Sequence, residues 1–160
     1  MVVRLEGSCS CGKVRFSAES RTPYPYQRCY CSICRKTGGG GGYAINIMAE
    51  AESLVIEGGE YKRHFHAMTD DGESPGERHF CGACGTSLYL WDPRWPELVH
   101  PMASAVDTAL PVPPETVHIM LAHKASWVCV PEGPDHVHFD GYPALSIEEW
   151  HRSKGLLEEG

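Results

Sequence analysis

A mainly β domain built largely from short antiparallel sheets is what this sequence predicts, and three observations predict it. Short runs of alternating or β-type residues recur along the chain. Turns rich in Gly, Pro, Asp and Glu separate them, and only one stretch carries strong helix signals. In "GKVRFSAES", Val14, Phe16 and Ala18 alternate with Lys13, Arg15 and Ser17, the two-residue period of a half-buried strand. Comparable runs follow at "YAINI", "SLVIEG", "EYKRHFH", "RHFC", "TSLYLW", "TVHIML", "SWVCV" and "HVHF", and each is read as a strand. The exception is "LSIEEWHRSKG", where Ser146 suits an N-cap, Glu149 occupies the capping-box position and Gly155 ends the helix. One further helical turn is expected after Cys31. The polar loop 68–77 should be mobile, 105–116 is a connector stiffened by Pro111, Pro113 and Pro114, and the tail beyond Gly155 should fray. No internal repeat divides the chain, so residues 1–160 are read as one domain.

Charge narrows the choice of partner. Fourteen Lys and Arg against 21 Asp and Glu leave a net charge of −7, without any basic run. Nucleic acid and anionic membrane need a cationic face, so neither is expected as a partner. The start "MVVRLEGSC" lacks the apolar core of a signal peptide, and no run approaches the length of a membrane span. A cytoplasmic location follows as the expectation, and thiols there stay reduced. Eight cysteines in such a compartment point to metal rather than to disulfides.

Seven of the eight fall into three clusters: Cys9 and Cys11 in "CSCG"; Cys29, Cys31 and Cys34 in "CYCSIC"; Cys81 and Cys84 in "CGACG". The last has the shape of a zinc knuckle, with Gly82 and Gly85 permitting the tight turn. Structural zinc is tetrahedral and closed, so one knuckle needs a second pair of ligands. Cys9 and Cys11 supply that pair economically, which leaves three thiols for a second ion with an open fourth position. Spacing alone also allows Cys31 and Cys34 to join Cys81 and Cys84.

Taken together, "GSCSCGKVRF", "CYCSICRK", "HFCGACGTSLY" and "HIMLAHKASW" resemble the glutathione-dependent formaldehyde-activating enzyme family, in the family's order and over residues 7 to 128. The resemblance implies a zinc-stabilised β-tent fold and a carbon–sulfur lyase that uses two zinc ions per chain. It assigns Cys9, Cys11, Cys81 and Cys84 to a structural zinc and Cys29, Cys31 and Cys34 to a catalytic one. The substrate class it implies is a glutathione–aldehyde adduct of the S-hydroxymethylglutathione type. Tyr30 stands where the family commonly has His, and five bare glycines follow at 38–42 where the family mixes Ser and Gly.

Three thiolates leave a zinc site with net charge −1, which weakens its Lewis acidity. Activation of an incoming thiol is therefore favoured over polarisation of a carbonyl. Arg35 and Lys36 directly follow the third ligand and suit a carboxylate of a thiol such as glutathione. The five glycines suit an anion nest, but a hinge or crowded turn is the plainer reading. His64 with His66, and His136 with His138, are read as exposed strand histidines, Cys129 as a buried apolar residue, and Trp91, Trp95, Trp127 and Trp150 as core. The rival function is a zinc-stabilised binding module without chemistry. A sulfoxide-reductase role would need a reactive cysteine outside the clusters, and Cys129 has no cation beside it in sequence.

Overall fold

The computed structural model describes residues 2–38 and 40–159. The chain runs through β1 (Val3–Ser8), β2 (Arg15–Ser20) and β3 (Gln27–Cys29) into helix α1 (Ser32–Gly38). Next come β4 (Ala49–Glu50), β5 (Val55–Glu57), β6 (Lys62–Phe65) and the hairpin of β7 (Met68–Thr69) and β8 (Gly72–Glu73). The remaining elements are β9 (Glu77–Cys81), β10 (Ser87–Trp91), β11 (Leu98–Pro101), β12 (Thr116–Ile119), β13 (His136–His138) and α2 (Ile147–Ser153). The fold is mainly β, as the strand pattern predicts.

Two antiparallel sheets, ordered β1-β2-β5 and β4-β11-β10-β9-β6, contribute to the main core. Val14, Phe16 and Ala18 are almost fully buried, as their alternation requires. Phe16 meets Tyr89 of the larger sheet edge to face, ring centroids 6.2 Å apart. Gly7 has to be glycine because a Cβ there would lie 2.3 Å from the Phe16 ring. Cys9, Cys34 and Cys81 are buried in this same core, with Cys29 and Cys31 packed against it.

The third sheet, β13-β12-β3, is parallel, which the sequence reading did not foresee. Its strands bury one face under α2, where Tyr26 and Trp150 stack with centroids 3.7 Å apart. Helix α2 begins with the expected capping box: the Glu149 N–H donates to Ser146 Oγ (3.1 Å) and the Ser146 N–H to Glu149 Oε2 (2.8 Å).

Several expectations are corrected. The run "SWVCV" forms turns rather than a strand, and Cys129 and Trp127 are exposed. Trp95 is also exposed, so of the four tryptophans Trp150 is the one fully in a core. The loop from residue 68 folds into the β7–β8 hairpin, closed by Thr69 Oγ1 donating to the Gly72 carbonyl (2.7 Å). The tail is tied down: the Glu158 N–H donates to the Arg21 carbonyl (2.8 Å), and Arg21 Nε donates to that of Glu158 (3.0 Å). "YAINI" makes isolated bridges at Ala44 and Asn46 rather than a continuous strand.

Candidate metal centres

The first cysteine group joins two hairpin-like turns. Cys9 and Cys11 sit in the β1–β2 connection, where Gly12 takes a φ of 76° and its N–H donates to the Cys9 carbonyl (3.0 Å). Cys81 ends β9 and Cys84 follows in the turn to β10, where Gly85 has φ 81° and donates its N–H to the Cys81 carbonyl (2.7 Å). Gly82 serves differently: its N–H bonds the Tyr61 carbonyl at 2.7 Å, and a Cβ would stand 2.9 Å from that oxygen. The four Sγ atoms all lie within 4.8 Å of one another.

Sulfur spacings test whether a metal fits. Cys9 Sγ is 3.5 Å from Cys11 Sγ, which is 3.8 Å from Cys81 Sγ. The edge of a tetrahedron with metal–sulfur bonds of about 2.3 Å is roughly 3.8 Å. Both distances match that edge and exceed the roughly 2.05 Å of a disulfide. Supporting donors are in place: the Val14 N–H reaches Cys9 Sγ (3.3 Å), and Thr86 Oγ1 lies 3.2 Å from Cys84 Sγ. The Thr86 contacts push the Cys84 thiol down to about 5, favouring the ligating thiolate.

Cys29, Cys31 and Cys34 form a second group, again with Sγ atoms within 4.8 Å. Cys29 closes β3, Cys31 precedes α1, and Cys34 is the buried residue of that helix. The strand is held on both sides. Cys29 exchanges backbone hydrogen bonds with Ala44 (2.9 and 3.0 Å), and the Tyr30 N–H donates to the Ile119 carbonyl (3.1 Å). The Cys34 N–H turns back onto Cys31 Sγ (3.3 Å). Hydrogen bonds from Cys29 and Cys34 bring the Cys31 thiol down to about 2, while the same sharing with Cys31 and Cys34 pushes Cys29 up. Both cysteine groups are arranged so that they could bind zinc.

Tyr30 is buried behind this strand, with its Oη 2.7 Å from His118 Nδ1; His118 Nε2 is 2.9 Å from His136 Nδ1. Burial, then the charge of Arg28, holds the His118 imidazole down to about 4, so it is neutral near pH 7. Arg35 and Lys36 occupy the last turn of α1. Lys36 is exposed, whereas Arg35 is half-buried, and its Nε is fully shielded without a hydrogen-bond partner. Arg78 of β9 adds a positive charge that acts on Cys34, a cation that no motif in residue order singles out. Of the glycine run, Gly42 is a crowded turn: φ is 91°, and a Cβ would meet Val128 Cγ2 at 2.3 Å. Gly39 lies outside the described residues.

With this geometry in hand, likeness to known proteins becomes informative. Residues 4–123 match the family described as "Glutathione-dependent formaldehyde-activating enzyme". A Halomonas elongata protein bearing the name "Putative glutathione-dependent formaldehyde-activating enzyme" is 57% identical over 156 residues, covering 98% of this chain and 99% of its own. A crystal structure of a Rhodobacter sphaeroides protein superposes with a TM-score of 0.53 at 25% identity, over 66% of this chain and 91% of that one. The chain belongs to the glutathione-dependent formaldehyde-activating enzyme family.

Proposed function

We propose that the protein is a zinc-dependent carbon–sulfur lyase acting on a glutathione–aldehyde adduct of the S-hydroxymethylglutathione type. In this reading residues 1–160 form one cytoplasmic domain with two zinc ions. Cys9, Cys11, Cys81 and Cys84 hold the structural one, and Cys29, Cys31 and Cys34 hold the open one. The observation that carries it is the separation of seven cysteines into a closed group of four and an open group of three. Zinc in the open site would supply acidity to an incoming thiol. The chain's own residues do the rest. The Cys29–Ala44 pairing and the Cys34–Cys31 contact fix the three sulfurs, and Arg78 offsets part of their charge. Arg35, half-buried in the last turn of α1, binds a glutathione carboxylate through the accessible part of its guanidinium, and Lys36 contributes a second cation at the exposed rim.

Exchange NMR of glutathione with formaldehyde tests this directly. The wild-type protein should accelerate adduct formation and breakdown, and Cys31→Ser should return both to the buffer rate while keeping its β circular-dichroism spectrum and one zinc. A wild-type rate equal to buffer, with both zinc ions bound, would favour the non-catalytic binding module instead.

A further inference from the structure

The β6–β9 ladder brings together three side chains that neither cysteine group uses. His64 and His79 are directly opposed in the antiparallel register, and Glu77 stands two residues before His79, hence on the same face. One ligand atom from each of these residues can be chosen so that all lie within 4.8 Å of one another. His79 is buried and its ring is clamped, stacking on Tyr89 at 4.4 Å with planes 16° apart. His64 is exposed and leaves the cluster open to solvent. His66 sits edge-on to His64 at 5.6 Å, with its Nδ1 engaged with the Gly76 carbonyl (3.0 Å).

We propose that His64, Glu77 and His79 form a third metal site, distinct from both cysteine groups, for a divalent first-row transition ion such as zinc, cobalt or nickel. Two imidazoles and one carboxylate are a donor set for these borderline ions, whereas calcium and magnesium require oxygen throughout. With three protein ligands, the remaining positions face solvent through His64.

Lys62 is the built-in competitor. Its Nζ is 2.7 Å from His79 Nδ1, and His79 Nε2 is 3.0 Å from Glu77 Oε1. With the ammonium donating to Nδ1, the ring proton is on Nε2 and is donated to Glu77. The two atoms that face each other in that contact are those a metal would take. Coordination through Nε2 moves the ring proton to Nδ1, where Lys62 can no longer donate, so the lysine has to swing away. Its positive charge also opposes the ion directly. This site therefore binds more weakly than either cysteine group and is regulated by one side chain.

Cobalt titration of protein loaded with only two equivalents of zinc, which the tighter cysteine groups take up, tests the site by visible absorption and calorimetry. One equivalent should bind with weak d–d bands and without the thiolate-to-cobalt charge-transfer band that a cysteine site gives. His64→Ala and Glu77→Gln should each weaken it by more than about a hundredfold, beyond the loss typical of an outer-shell partner. Lys62→Met should tighten it by about tenfold, through removal of an adjacent cation. His64 is exposed, so the His64→Ala variant keeps its fold, which circular dichroism verifies. Absence of binding, a thiolate charge-transfer band, or unchanged affinity in His64→Ala would overturn the proposal. Unchanged or weaker affinity in Lys62→Met would overturn the competition. The outcome is independent of lyase activity.

Discussion

Tyr30 Oη lies 2.7 Å from His118 Nδ1, and this contact adds a side-chain link between the end of β3, which carries Cys29, and its neighbour β12 in the parallel sheet. Both side chains are buried to within 1% of full exclusion from solvent. With the phenol O–H donating to Nδ1 of the neutral imidazole, the ring proton is on Nε2 and is donated to His136. Tyr30→Phe keeps the ring packed on Tyr43 but leaves Nδ1 unpartnered in the core. An unsatisfied buried acceptor costs about 1–3 kcal/mol. Urea denaturation should show that loss. Zinc content of the folded variant should stay at the wild-type level, because the ligands themselves are untouched. A variant as stable as wild type would mean that His118 finds another partner.

The structural group makes a stronger prediction. Cys81 is fully buried in the main core, and its group links the β1–β2 turn to the β9–β10 turn. Binding of a structural ion there is itself folding free energy. Cys81→Ser, or Cys84→Ser at the exposed corner, should leave the chain largely unfolded at room temperature, with the loss visible by circular dichroism. Chelation of the wild type should do the same. A Cys84→Ser protein that retains full metal content and melts like wild type would remove the structural assignment.

Much of this architecture was legible from residue order, and the failures are instructive. Buried alternation at Val14, Phe16 and Ala18 and the capping box at Ser146 are local patterns, so they could be read. "SWVCV" carries the same β-type residues, yet the backbone turns there: the Val128 N–H bonds the Ala125 carbonyl (3.1 Å), and Val128 alone of the run is buried. Strand propensity needs a partner edge, and none is supplied at that point. The converse holds at β1, where "VRLEGS" mixes charged with apolar residues and carries no clear strand pattern. Its six-residue register with β2 decides it. The proximity of His64 to Glu77 and His79, like the effect of Arg78 on Cys34, depends on which strands pair. Sequence periodicity contains no such information.

Asp92 supplies a pH-dependent prediction away from the metals. Its Oδ1 accepts from the backbone N–H and Nε of Arg94 (both 2.9 Å), and Oδ2 accepts from Nη2 (2.6 Å), closing the turn after β10. These hydrogen bonds, against the effect of burial, hold the carboxyl below its ordinary value. A carboxyl with a depressed folded pKa contributes stability above its unfolded pKa and loses it as pH falls through the folded one. Asp92→Asn should therefore cost about 1 kcal/mol, modest because the Arg94 side chain is largely exposed. The gap from wild type should stay constant from pH 8 to about 5 and narrow only below about 4, near the carboxylate range. Urea midpoints measured across that range check it; a gap that closes already above pH 5 would mean another group is responsible.

The last prediction concerns substrate recognition beside the open group. Arg35 follows Cys34 directly in α1 and is half-buried, so part of its side chain reaches solvent. A carboxylate of glutathione would pair with that accessible part of the guanidinium. Arg35→Ala should then weaken glutathione binding through loss of charge-assisted hydrogen bonds worth about 1.5–3 kcal/mol. Lys36 is exposed, so Lys36→Ala should have a smaller effect that fades with salt, as screening acts within about 8–10 Å at ordinary ionic strength. The half-buried Arg35 should be less sensitive to salt. A neutral thiol without carboxylates separates recognition from scaffold, since it should bind wild type and Arg35→Ala alike. Calorimetric titration of glutathione and of the neutral thiol into zinc-loaded protein provides both comparisons. Equal losses for the two thiols would make Arg35 a support of α1, and no loss for either would place the carboxylate elsewhere.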